Sequence, residues 1–259
     1  MLPARGHRVQ QVNPIASIAL VDRSAPVAAW HSGRMDARAL VLCGGGRRSD
    51  PWHDLAATGH AVAGLLGELG LSTRLSSRLA DVVGDGRFDT DLLVVNSSDG
   101  APSAPGDADG AVLDAAIEAH VAAGRPILGV HSAALAFPDA PGWAAVLGAR
   151  WVDGTSMHPD LDATTVQTGP SPSGIADHLG DVHVTDERYS FLELVAPEPL
   201  NPHLTHRHAG MVHPLAWARR VGERDARVVY DALGHDLRSY ASPSRRALLA
   251  AEVAWLMGR

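Results

Sequence analysis

Lysine is absent from the 259 residues; all 22 basic side chains are arginine. That excludes Schiff-base chemistry, pyridoxal-phosphate anchoring and a Walker-type phosphate loop, each of which needs a lysine amine. Cysteine occurs once, at Cys43, which rules out an intrachain disulfide and a cysteine-based zinc site. Inside an apolar run, Cys43 reads as a small buried hydrophobe. No stretch approaches the ~18 apolar residues of a membrane helix. The N-terminal MLPARGHRVQQVNP carries positive charge with no apolar core directly behind it, unlike an export signal. The expected compartment is the cytoplasm, with no membrane partner. The arginines are not clustered and the net charge is −7, which argues against nucleic acid as a partner. Tyrosine and phenylalanine are scarce, at three each, whereas histidine reaches 14. Histidine titrates near neutral pH and is the commonest metal ligand, so its placement directs the search for a site.

At 46% hydrophobic and 20% charged residues the chain has the composition of a globular domain, near the upper size of a single core. Residues 1–38 lack sustained periodicity and read as an N-terminal extension. From Ala39 the pattern is regular. ALVLC ends in Gly44–Gly46, as a buried parallel strand ends in a turn. A helix over 54–69 follows, with Leu55, Val62, Leu65, Leu66 and Leu69 on one face. Next come a short strand near 72–75, the buried strand DLLVVN, a loop APSAPGDADG, a helix over 111–123 closed by Gly124, and the strand PILGV. SAALAF then reads as a further helix. Strands alternating with helices signal a doubly wound parallel sheet. Residues 150–222 break the alternation and read as an insertion of strands and long loops over the sheet. RVVYDAL returns to the core, and a last helix starts at Ser242 with Pro243 in its first turn.

Ligands of an open α/β sheet bind beyond the carboxyl ends of its strands. The candidates there are Gly45 and His53 after the first strand and Asn96 after DLLVVN, then His131 and Ser132 after PILGV, and His235 and Asp236 after RVVYDAL. GVHSA has the strand–turn–helix context of a nucleophile elbow, with small residues flanking the turn. The residue it lifts is histidine, suited to act as acid, base or ligand. His235 is the second candidate for proton transfer, with Asp236 either orienting it or capping the next turn. Glu187 is either a general acid–base group or an exposed acid beside Arg188. His206 and His208, two apart on an extended segment, share a face as metal ligands do, without a defined third ligand.

GVHSA, the pair Asp186–Glu187 followed by Tyr189, HPLAW at 213–217 and RVVYDALGHD at 227–236 together resemble the ThuA-like (trehalose-utilisation) family over residues 39–259. The resemblance implies a flavodoxin-like, class I glutamine amidotransferase-like scaffold with an inserted β/loop region. It implies a role in sugar catabolism, and it adds Tyr189, His213 and Trp217 to the substrate-binding candidates. True amidotransferases carry cysteine at the elbow, so His131 implies no glutaminase activity. The loop 196–212 departs from the pattern in its length and its histidines.

The leading expectation is an enzyme acting on a sugar or an oxidised (keto) disaccharide through acid–base chemistry of His131, His235 and Glu187. The alternatives are a non-catalytic sugar-binding module and a metal-dependent hydrolase using the histidine loop. The sequence requires no cofactor and leaves a divalent metal such as zinc as the candidate ion. The expected partner is a small carbohydrate, with homo-oligomerisation left open.

Overall fold

A computed structural model describes residues 37–84, 86–99 and 110–259. Of the expected N-terminal extension only Ala37 and Arg38 fall among them, and Arg38 already opens the first strand. The expected loop APSAPGDADG lies outside the described residues except for Gly110, the first residue of a helix.

Five parallel strands form the core: β1 (Arg38–Cys43), β2 (Ser72–Ser76), β3 (Leu92–Asn96), β4 (Ile127–Val130) and, last in the chain, β9 (Ala226–Asp231). Their spatial order is β2-β1-β3-β4-β9. This is the 2-1-3-4-5 flavodoxin-like order, with the chain reversing its direction of travel between β1 and β3. β1, β3 and β4 are continuous apolar runs because helices cover both faces. Helices α1 (Leu55–Glu68), α4 (Leu237–Ala241) and α5 (Pro243–Leu256) pack together, and α2 (Gly110–Ala122) packs with α3 (Pro141–Leu147). Asp54 caps α1 by accepting from the Ala57 amide, and Ser242 caps α5 by accepting from the Arg245 amide. β2 forms one edge, and its residues STRLS are mostly exposed, with Arg74 outward. No helix among the described residues is long and apolar enough to cross a membrane.

The inserted region divides in two. β7 (Pro202–His208) and β8 (Met211–Val221) pair antiparallel with each other, and β8 pairs with β9, so they widen the core sheet where strands lying over it were expected. Without them β9 would expose its outer edge. β5 (Asp162–Thr168) and β6 (Val182–Asp186) join β7 through two residue pairs only. Register shifts around Leu204 kink β7 at that junction. β6 turns back against α4 and α5, and the His183 amide donates to Ser244 Oγ. Two-residue strands at Ala149–Arg150 and Glu193–Leu194 tie the region to the loop after α3.

SAALAF is not a full helix. After β4 a single 3-10 turn spans His131–Ala134, and Phe137 with φ of 60° ends any continuation before Pro138. The elbow itself is sharp: His131 has φ of 45°, a left-handed conformation uncommon outside glycine. Gly129, two residues before it, leaves room for the Leu147 side chain of α3, which a Cβ there would meet at 2.6 Å.

One buried group makes the fold sensitive to acid. His120 on α2 is buried and donates from Nε2 to the Pro126 carbonyl, at 3.1 Å. Burial pushes its pKa from 6.5 down to about 4. The unfolded chain therefore binds one more proton than the folded chain between those values, and stability falls as pH drops from 6.5 towards 4. The difference amounts to about 3 kcal/mol at most. Urea titrations of the wild type and His120→Gln at pH 7.5 and 4.5 should show the wild type losing about 2–3 kcal/mol more than the variant. Equal losses would mean that His120 does not carry this linkage.

Candidate active site

The carboxyl ends of β1, β4 and β9 and the end of β6 meet at one edge, and four side chains converge there. The sharp turn at His131 lifts its ring above the sheet, where Nδ1 lies 2.6 Å from the Ala232 carbonyl just after β9. His53, in the turn before α1, has Nδ1 2.7 Å from Asp50 Oδ2. A carbonyl and a carboxylate only accept, so both rings carry their hydrogen on Nδ1 and present Nε2 as a lone pair when neutral. Those two Nε2 atoms face each other at 3.1 Å. Tyr189 sets its hydroxyl 3.1 Å from His131 Nε2.

Glu187 Oε2 lies 3.2 Å from His235 Nδ1, 3.5 Å from His158 Nε2 and 3.6 Å from His131 Nε2. His235 Nδ1 is buried without an aligned hydrogen bond despite this proximity. The ligand atoms of His53, His131, Glu187 and His235 all lie within 4.8 Å of one another. Asp186, fully buried at the end of β6, accepts from the amides of Glu187, Gly234 and His235 at 2.9, 2.8 and 3.1 Å. It fastens the strand that brings Glu187 to the loop that brings His235.

Burial acts to raise the Glu187 pKa, but His131 and His235 outweigh it and hold the carboxylate ionised. Burial likewise acts to lower the pKa of His235, and Glu187 outweighs it, so that pKa is raised. For His53 burial prevails over Asp50, and the pKa is lowered. Burial keeps the Tyr189 hydroxyl protonated far above neutral pH. A negative oxygen thus stands among three imidazoles, two of them held in one tautomer. Such a set can move a proton to or from a bound oxygen, or hold a divalent cation.

The cluster opens into a cavity of about 530 Å³ walled by Trp52, Trp151, Leu135, Asp153 and His158. That volume falls within the ~300–1,000 Å³ of small-molecule sites.

Of the candidates read from the sequence, the fold brings together His131, His235, Glu187, His53 and Tyr189. The others lie elsewhere. Asn96 is buried and donates to the Leu55 carbonyl and Thr58 Oγ1, bracing α1 against β3. Ser132 donates to the Ser97 carbonyl. Gly45 packs on Ser77, where a Cβ would have too little space. Trp217 is sealed in the core and donates to the Leu147 carbonyl. Asp236 caps α4 and pairs with Arg238. His213 sits between the Phe191 amide and the His208 carbonyl.

His206 and His208 gather no third ligand among the described residues. His206 Nε2 instead lies 3.1 Å from Ser190 Oγ and 3.2 Å from the Tyr189 carbonyl, bracing the segment that carries Tyr189. Cys43 is buried, and its thiol, pushed up to about 11 by burial, donates to the Leu55 carbonyl. Asp50, Asp186, Trp151 and His158 were missed. Asp50 stands three residues before His53, a spacing that could have marked it, whereas His158 lies in a stretch without periodicity.

The motifs GVHSA and LGHD thus bracket one pocket, and the family model for ThuA, described as trehalose utilisation, matches residues 38–256. The chain belongs to the ThuA family. That description points to a role in carbohydrate catabolism. A putative ThuA-like protein from Parabacteroides merdae superposes with a TM-score of 0.65 at 16% identity, covering 86% of this chain and 90% of that one. A second, from Bacteroides uniformis, gives 0.57 at 13% identity, covering 85% and 90%. A glutamine amidotransferase from Thermotoga maritima aligns at 0.48 and 12% identity, over 86% and 99%. Among curated proteins none matches the chain. The two ThuA-like structures share the α/β fold of this chain. Within this ThuA protein the elbow carries His131 and the one thiol is buried away from the cavity.

Proposed function

We propose that this ThuA protein is an enzyme of carbohydrate breakdown that acts on a sugar or an oxidised (keto) disaccharide, without glutaminase activity. The observation that supports this reading is Glu187, an ionised carboxylate set among His131, His158 and His235 at the wall of an aromatic-lined cavity. Trp52 and Trp151 offer flat apolar surfaces for the C–H faces of a sugar ring, while Asp153, His158 and Glu187 offer partners for its hydroxyls. Proton transfer beside a carbonyl suits this set. Ordinary two-carboxylate glycoside hydrolysis suits it less, because Asp236 is committed to Arg238, Asp186 to three backbone amides and Asp153 to the Trp151 indole.

The test is to incubate the full chain with reducing sugars, disaccharides and their keto derivatives and follow products by chromatography. Conversion of a keto disaccharide is the expected outcome. Saturable binding of these sugars with no product would replace this reading with that of a sugar-binding module.

A further inference from the structure

We infer that His53, His131, His235 and Glu187 together hold one divalent transition-metal ion of the zinc class. The case begins with the two Nε2 atoms at 3.1 Å, both acceptors in their neutral tautomers. Two facing lone pairs repel unless something positive lies between or beside them, and the Tyr189 hydroxyl, 3.1 Å from His131 Nε2, serves His131 and leaves His53 without a donor. A shared proton would satisfy that contact and place a positive ring 3.6 Å from Glu187. It would leave His235 Nδ1 buried and unaligned beside Glu187, as it stands here. A cation satisfies all four groups at once.

Three of the six spacings already agree with this, and the wider ones, all within 4.8 Å, would have to close on the ion. Zinc bound to nitrogen and oxygen at ~2.0–2.2 Å in a tetrahedron puts neighbouring ligand atoms about 3.3 Å apart. The contacts here are 3.1 Å between His53 and His131, 3.2 Å between His235 and Glu187, and 3.6 Å between His131 and Glu187. The outer partners also match those of metal-bound histidines, which donate their second nitrogen to a carboxylate or a carbonyl. Asp50 does so for His53 and the Ala232 carbonyl for His131. The donor set of three imidazoles and a carboxylate suits zinc and its neighbours rather than magnesium or calcium.

The inference rests on the proposed function for its catalytic meaning only. An ion here would act as a Lewis acid on a sugar oxygen entering from the cavity. Proton transfer would then pass to His158, which reaches Glu187 but lies outside the four ligands.

The test uses the full-length chain with zinc or cobalt(II) alone. After loading and dialysis, mass spectrometry of the metal should find about one equivalent, and a chelator should remove it and lower Tm. Cobalt(II) should give visible absorption. His53→Ala and Glu187→Gln should each cut retained metal at least tenfold with the far-UV spectrum unchanged. His206→Ala/His208→Ala should retain the full equivalent. Absence of retained metal together with an unshifted Tm overturns the inference, as does loss of the metal from the His206/His208 variant alone. Turnover that survives complete metal removal overturns the Lewis-acid role of the ion while the proposed function stands. Tight metal binding with no turnover of any sugar leaves the inference in place and removes the proposed function.

Discussion

Glu187→Gln should lower kcat by about 10²–10⁴-fold, the range that a positioned acid–base group contributes, while the Tm of the metal-free variant stays within a few degrees of that of the metal-free wild type. Among the described residues its carboxylate oxygen is the one anionic atom that pairs with His131, His158 and His235. Glutamine keeps the shape but removes the charge and offers the imidazoles an amide in its place. A buried charge removed without compensation would ordinarily disturb packing. Here the neighbours can lose their own protons, so the fold is spared and the chemistry is not. Glu193→Gln, which removes an exposed partner of Arg150, is the matched control and should leave kcat unchanged. Steady-state kinetics on the sugar that the wild type converts gives the comparison. A loss under fivefold for Glu187→Gln would show that the reaction is carried elsewhere.

Arg245→Met should be the most destabilising single change, at about 3–5 kcal/mol, because it strips the partner from a buried carboxylate. Arg245 is fully buried on α5, with Nη1 2.9 Å from Asp231 Oδ2 and Nη2 donating to the Leu233 carbonyl at 3.2 Å. Behind it, Glu252 and His203 form a second buried pair at 2.8 Å. For a chain of this size the loss corresponds to roughly 10–15 °C in Tm, at about 2–4 °C per kcal/mol. Burial already raises the Asp231 pKa, and Arg245, helped by the Leu233 amide, opposes it. In the variant that pKa rises further, so the folded state takes up a proton that the unfolded chain lacks. The deficit should therefore shrink as pH falls and grow as pH rises. Asp231→Asn/Arg245→Met should recover more than half of the loss at pH 7.5. Thermal unfolding at pH 5.5 and 7.5 measures both effects, and a pH-independent deficit would show that Asp231 is not the uncompensated group.

How far the sequence carried depended on how local each determinant was. ALVLC, DLLVVN and PILGV announced buried parallel strands because helices on both faces leave no polar alternation. Ser242–Pro243 announced a helix start because capping is a matter of three residues. His131 was legible for the same reason, since an elbow is a strand, a turn and small neighbours in one short run. The inserted region was not. Apolar alternation in HPLAW reveals a strand but not which edge it joins, so strands that widen the sheet and strands that fold back look alike. Trp217 and His213, which the family resemblance added to the candidates, serve the core and a hairpin. Asn96 and Ser132 stand where ligands bind, yet their side chains turn inward to brace α1 and the loop after β3. The pair His206–His208 had the right spacing for ligands, but a third ligand depends on long-range folding. The ligand set that does converge draws on positions 53, 131, 187 and 235, too far apart for any spacing rule.

Asp186 gives this arrangement a consequence for how such a protein can change over time. Three of the converging side chains belong to the parallel scaffold, and the fourth, Glu187, arrives on the folded-back strand that Asp186 ties to the loop of His235. The scaffold alone supplies the three imidazoles and Asp50 behind His53, but not the carboxylate that faces His131 and His235. A lineage could therefore keep the α/β core, exchange only the appended strands, and so trade one reactivity for another. In this chain a single carboxylate accepting three backbone amides makes that exchange all or nothing, because loosening the appended part would move His235 together with Glu187.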